Sequence, residues 1–125
     1  MSVQAVFIVG RGIMVELSGT ITANNGLTQE TQLNTGEFRY IHGIRLVNGD
    51  SVQHNVTVQI TKSDNTKILL PISNQAVSGN GEYNKYFESP IPIFEAMKIR
   101  VVWSAEAGDA SATMQVKILE TGVRL

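Results

Sequence analysis

From Asn55 to Thr61 the chain alternates without a break: Val56, Val58 and Ile60 fall on one side of an extended backbone, and Thr57, Gln59 and Thr61 on the other. Successive side chains of a strand point to opposite faces, so this pattern specifies a strand buried on one face only. The same pattern recurs along the chain. Met97, Ile99, Val101 and Trp103 alternate with Lys98, Arg100, Val102 and Ser104, which makes Trp103 a core residue; Met114, Val116 and Ile118 alternate with Thr113, Gln115 and Lys117 inside Ala112 to Glu120. Residues 12 to 22 read as one long strand, with Ile13, Val15, Leu17 and Ile21 on its inner side and Gly19 placed for a bulge. Phe38 to Asn48 reads likewise, with Phe38, Tyr40, Ile44 and Leu46 inward and Arg39, Ile41, Arg45 and Val47 outward. Weaker strands are predicted at Val3 to Val9, Thr66 to Ile72 and Glu82 to Phe87.

The segments between these runs suit β connections. Asn48-Gly49-Asp50, Ser63-Asp64-Asn65, Gly79-Asn80-Gly81 and Ala107-Gly108-Asp109 are turn sequences. No long window keeps apolar residues at helical spacing, and Pro90 and Pro92 bar a helix through Glu88 to Ala96. The expected fold is all-β: a single antiparallel β-sandwich or jelly-roll of about eight strands, with a closed small barrel as the rival. A chain of 125 residues has the length of one domain, here 1–125, with residues 1–9 a candidate N-terminal arm or edge strand. Two connections exceed what a hairpin needs: Ala23 to Glu37, a polar loop or polar edge strand, and Ser73 to Gly81.

Composition narrows the function classes. Ten basic and eleven acidic residues leave a net charge of -1 with neither sign clustered, so a nucleic-acid partner is not expected. Cysteine is absent, which removes disulfides, thiol nucleophiles and the common zinc sites. The apolar stretch Ala5 to Val9 is too short for a signal peptide, and no run reaches the length of a membrane helix, so neither a leader nor a membrane partner is expected.

Catalytic, metal and cofactor readings find little to build on, and none of the three is expected. Asp50, Asp64 and Asp109 sit singly in turns, where aspartates cap the backbone, and the calcium-loop order is missing. His42 falls on the inward parity of its strand as a hydrogen-bonded core or rim residue, and His54, at a strand start, is expected to be solvated. A hydrolase built from dispersed carboxylates would have to draw on Glu16, Glu37, Glu82, Glu88, Glu95 and Glu106. The Asn55-Val56-Thr57 glycosylation sequence lies inside the clearest strand and reads as coincidence. Contact chemistry has better candidates. Thr28, Gln29, Gln32 and Asn34 line the long polar connection, and Tyr83 and Tyr86 follow a Gly-rich loop, one ring packing inward and the other at the rim.

The linker Phe87-Glu88-Ser89-Pro90-Ile91-Pro92-Ile93-Phe94, leading into Met97 to Trp103, and the order of strands around it resemble the small jelly-roll or β-sandwich accessory proteins of tailed bacteriophage particles, such as head decoration proteins. The resemblance covers the strand layout over most of the chain. It implies a non-enzymatic subunit that binds a capsid or tail lattice as a symmetric oligomer, through loops and terminal arms, and so a virion protein assembled in the host cytoplasm. Similar topologies also serve carbohydrate-binding modules. On that alternative a glycan would stack on Tyr83, Tyr86 and Tyr40.

Overall fold

A computed structural model of the chain describes residues 12–124. The N-terminal segment 1–9, expected as an arm or edge strand, lies outside the described residues. Eight strands follow one another: β1 (Gly12–Thr22), β2 (Leu27–Gln32), β3 (Glu37–Asn48), β4 (His54–Thr61), β5 (Lys67–Val77), β6 (Glu82–Ile93), β7 (Lys98–Trp103) and β8 (Ser111–Arg124). They form two four-stranded sheets, ordered β1-β8-β3-β6 and β2-β7-β4-β5. Every pairing is antiparallel. First pairs with last, second with seventh, third with sixth and fourth with fifth, which is a long hairpin rolled into two layers: a jelly-roll β-sandwich.

The inner faces carry the alternating residues. Val56, Val58 and Ile60 of β4, Ile99, Val101 and Trp103 of β7, and Met114, Val116 and Ile118 of β8 are all buried and meet Ile44 and Leu46 of β3 between the sheets. Burial of each such side chain stabilises the fold by about 1.5 to 3 kcal/mol. The core is therefore the sum of the period-two runs.

Several expectations need correction. β3 contains a bulge: Ile41 lies opposite Glu120 and Gly43 opposite Leu119, so His42 is an extra residue and the parity switches across it. Ile41 is therefore buried rather than outward, whereas Phe38 and Tyr40 lie on the outer side, where Phe38 packs edge-on against Tyr40 and Phe94. His42 leaves the inner face and places Nε2 2.8 Å from Thr121 Oγ1 at the rim. Gly19 makes no bulge, since β1 and β8 stay in unbroken register from Gly12 to Thr22. β5 runs on to Val77, consuming most of the connection expected at Ser73 to Gly81. β6 continues through Pro90 and Pro92. Among the described residues it is an edge strand, paired to β3 alone, the position in a sheet where proline is tolerated. Of the two readings of Ala23 to Glu37, the polar edge strand is right: its centre is β2.

Candidate functional site

Successive connections of a rolled hairpin alternate between its ends. The β1–β2, β3–β4, β5–β6 and β7–β8 connections gather at one end, so turn sequences far apart in the chain meet there. Asn48, at the last position of β3, is buried and donates from Nδ2 to the carbonyls of Val52, Val77 and Ser78 at 2.9, 3.1 and 3.2 Å. Asp50 is the hub. Its Oδ1 accepts from the backbone N–H groups of Ser51 and Asp109, both at 2.8 Å, and its Oδ2 lies 2.8 Å from His54 Nε2. The Asp109 backbone N–H, followed by the His54 ring, holds the Asp50 carboxyl down to about 2. Gly108 is required here, because a Cβ at that position would come within 2.0 Å of Asp50 Oδ2.

His54 is buried, not solvated: it keeps the inward phase of Val56, Val58 and Ile60. Its Nδ1 lies 2.7 Å from the Ser104 carbonyl oxygen while Nε2 faces Asp50. The ring thus bridges a backbone carbonyl and the Asp50 carboxylate. Asp109 then accepts from Ser51 N and Oγ, at 3.1 and 2.9 Å. Asp50 and Asp109, expected to stand singly, share one knot; Asp64 does cap its own turn, accepting from Thr66 N at 3.0 Å. The polar groups of the knot hold loops together, and among the described residues no serine hydroxyl bonds the His54 ring.

At the opposite end Arg39 donates to Glu37 at 2.7 Å and to Glu120 at 2.9 Å. Glu120 continues the inward phase of Met114, Val116 and Ile118, and its Oε1 has no hydrogen-bond partner among the described residues. Burial raises the Glu120 carboxyl above its ordinary 4.5 despite Arg39, whereas the Arg39 guanidinium, followed by the Asn34 backbone N–H, lowers Glu37. A carboxyl raised by folding contributes stability that is full below its unfolded value and lost as pH rises through the folded one. Thermal melts are expected to lose stability on this account as pH rises above the ordinary carboxylate range. In Glu120→Gln that decline should flatten, and an unchanged slope would show that another group causes it.

The outer face of the β1-β8-β3-β6 sheet presents a different chemistry. Met14 lies opposite Leu119, Leu119 opposite Gly43, and Gly43 opposite Tyr86, so one row crosses all four strands. Met14 is 55% exposed, Leu119 36% and Tyr86 76%. The Tyr86 ring lies across Gly43, where an added Cβ would meet its Cδ1 at 2.9 Å. The next row is polar: Glu16, Lys117, Arg45 and Asn84. Arg45 is paired with Glu82, and a shallow depression lies between the two rows. A second exposed apolar strip, Ile68, Leu69 and Leu70, lies on the edge strand β5.

The residues singled out in the sequence are not gathered in one place. Thr28 and Gln32 are exposed on edge strand β2, with Gln32 Nε2 donating to the Ala96 carbonyl at 3.2 Å, and Asn34 is exposed beyond it. Gln29 is not a surface contact: it is buried, donates from Nε2 to the Met114 carbonyl at 3.1 Å, and accepts from Trp103 Nε1 at 2.8 Å. Tyr83 packs half-buried against the core, and Tyr86 alone of the pair offers its ring to solvent. β2 packs beside β1, whereas Lys85 of β6 donates to the Pro71 carbonyl of β5 at 3.0 Å; the two groups of candidates thus lie on opposite sides of the sandwich. Sequence reasoning missed Met14 and Leu119. Their signal was an apolar residue on the polar phase of two strands that pair.

No protein-family model matches the chain, and no curated protein matches it in sequence. Solved structures are similar in fold. PirA superposes with a TM-score of 0.52 at 12% identity, over 82% of this chain and 92% of that one. The VP2 protein of infectious bursal disease virus gives 0.49 at 11% identity, and there the chain covers 93% of its own length but 32% of VP2. A Bacillus endospore appendage protein gives 0.41 at 12% identity, over 90% of this chain and 92% of that one. At these identities the shared property is the all-β sandwich itself.

Proposed function

We propose that the chain is a non-enzymatic structural subunit that acts through protein–protein contacts, as a decoration or head–tail accessory protein of a virion-type lattice. The observation that carries this reading is the exposed row Met14, Leu119 and Tyr86 across the outer face of a sheet, bordered by the polar row Glu16, Lys117, Arg45 and Asn84. Exposed apolar side chains that are contiguous and rimmed by charge mark contact surfaces, whereas scattered ones do not. The strip Ile68 to Leu70 adds a second exposed apolar surface on β5, an edge strand among the described residues. The kind of lattice follows the resemblance of the strand layout to phage accessory proteins.

The test is light scattering over a wide concentration range on the full chain and on Leu119→Lys with Tyr86→Lys. Self-association should weaken by roughly a factor of ten or more in the double variant, equivalent to about 1.4 kcal/mol. A strict monomer at high concentration that also fails to bind particles would sink the assembly reading. One observation favours a second reading: the exposed Tyr86 ring is flanked by Arg45, Asn84 and Lys117, a hydrogen-bonding rim suited to a sugar stacked on the ring. A glycan array separates the two, because only the carbohydrate reading predicts a signal that Tyr86→Ala abolishes.

A further inference from the structure

The chain contains Asn25-Gly26, Asn48-Gly49 and Asn80-Gly81. An asparagine before glycine can lose its amide spontaneously, since glycine has no Cβ to shield its backbone nitrogen. That nitrogen gives up its proton and attacks the asparagine Cγ. A new C–N bond closes a five-membered succinimide, the Cγ–Nδ2 bond breaks, and ammonia leaves with the proton. Water then opens the ring at either carbonyl, giving aspartate or isoaspartate. The reaction needs a free glycine N–H, a side chain able to turn its Cγ onto it, and water.

The fold treats the three pairs differently. Asn48 is 1% exposed; besides its Nδ2 bonds at 2.9, 3.1 and 3.2 Å, its Oδ1 accepts from Asp50 N at 2.8 Å, so its Cγ is clamped and dry. Asn80 is exposed, but the Gly81 N–H that must attack donates to the Ser78 carbonyl at 2.9 Å. Asn25 is exposed at the β1–β2 corner, and Gly26 N has no hydrogen-bond partner among the described residues. Its side chain is tethered only at the surface, Nδ2 donating to Thr22 Oγ1 at 2.9 Å and to the Ala23 carbonyl at 3.3 Å.

We propose that Asn25 is a site of spontaneous deamidation in the folded protein, while the folded loop end protects Asn48 and Asn80. The product matters because of where it forms. Isoaspartate adds a backbone carbon at the corner where the chain passes from one sheet to the other, just before Leu27 pairs with Trp103 and Gln29 reaches Met114. The altered edge strand β2 carries Thr28 and Gln32, so the protein changes one of its exposed edges as it ages.

The experiment incubates the full chain at mildly alkaline pH and digests it with trypsin, which separates Asn25 (peptide 12–39), Asn48 (peptide 46–62) and Asn80 (peptide 68–85). In native protein, the mass gain of an amide-to-acid exchange and the isoaspartate should accumulate at Asn25 at least roughly tenfold faster than at Asn48 or Asn80, which react only through local opening. In urea the three rates should converge, and Asn25→Gln should abolish the fast phase without changing the fold. Native Asn48 or Asn80 reacting as fast as Asn25, or Asn25 reacting no faster than Asn24 in the same peptide, would overturn the proposal.

Discussion

Asp50→Ala is expected to lower the unfolding free energy by about 3 kcal/mol or more, since removing a buried, hydrogen-bonded carboxylate strands its donors. The substitution orphans the Asp109 N–H, leaves Ser51 N only its longer bond to Asp109 Oδ2, and leaves His54 Nε2 facing nothing, all at the end where the β3–β4 and β7–β8 connections meet. Asp50→Asn should recover much of the loss. Its Oδ1 still accepts from both backbone groups, and its Nδ2 donates to a neutral His54 ring whose Nδ1–H keeps the Ser104 carbonyl. The pH dependence separates the variants further. A carboxyl lowered from 3.8 to about 2 contributes stability that is present above the unfolded value and lost as pH falls through the folded one. Wild type should therefore weaken on acidification through that window, and Asp50→Asn should weaken less, by the part that Asp50 contributes. Urea denaturation at neutral and acid pH measures both effects, and equal stability of Asp50→Ala and wild type would show that the knot is not what closes this end.

The sandwich was legible because alternation reports one-sided burial directly, and the runs at Val56 to Ile60, Ile99 to Trp103 and Met114 to Ile118 all became core. Failures came where a second register or a distant partner decides. The β3 bulge hides in Ile41-His42-Gly43-Ile44, where two apolar residues three apart signal a parity switch that simple alternation reads as one apolar residue facing out. His54 carried the inward parity of its own strand, and the expectation that strand ends are wet outweighed it wrongly. Asp50 and Asp109 are turn residues, as their neighbours predict, but their meeting depends on the rolled hairpin and has no local signal. Gln29 belonged to a polar stretch, and only the pairing of Leu27 with Trp103 shows that its amide faces inward.

That inward amide leads to the second large effect. Trp103→Ala is expected to cost about 3 to 5 kcal/mol, the range for truncating a large aromatic side chain in a core that relaxes only partly. Trp103 is 1% exposed and lies on β7 with its indole N–H on Gln29 Oε1, while Gln29 Nε2 bonds the Met114 carbonyl of the facing sheet. One side-chain amide thus ties an edge strand to a central strand of its own sheet and to the opposite layer. Trp103→Phe removes the donor together with part of the ring system, so its cost adds a cavity to the stranded Gln29 oxygen, the latter about 1 to 3 kcal/mol for a buried polar group left unpaired. Gln29→Leu strands the indole N–H in the same way. With both changes made, neither polar group is left waiting for a partner, so the double variant should be more stable than the two single losses added together imply. Denaturation of the four proteins gives that coupling, and strict additivity would mean that the Gln29 bridge does not hold β2 over the core.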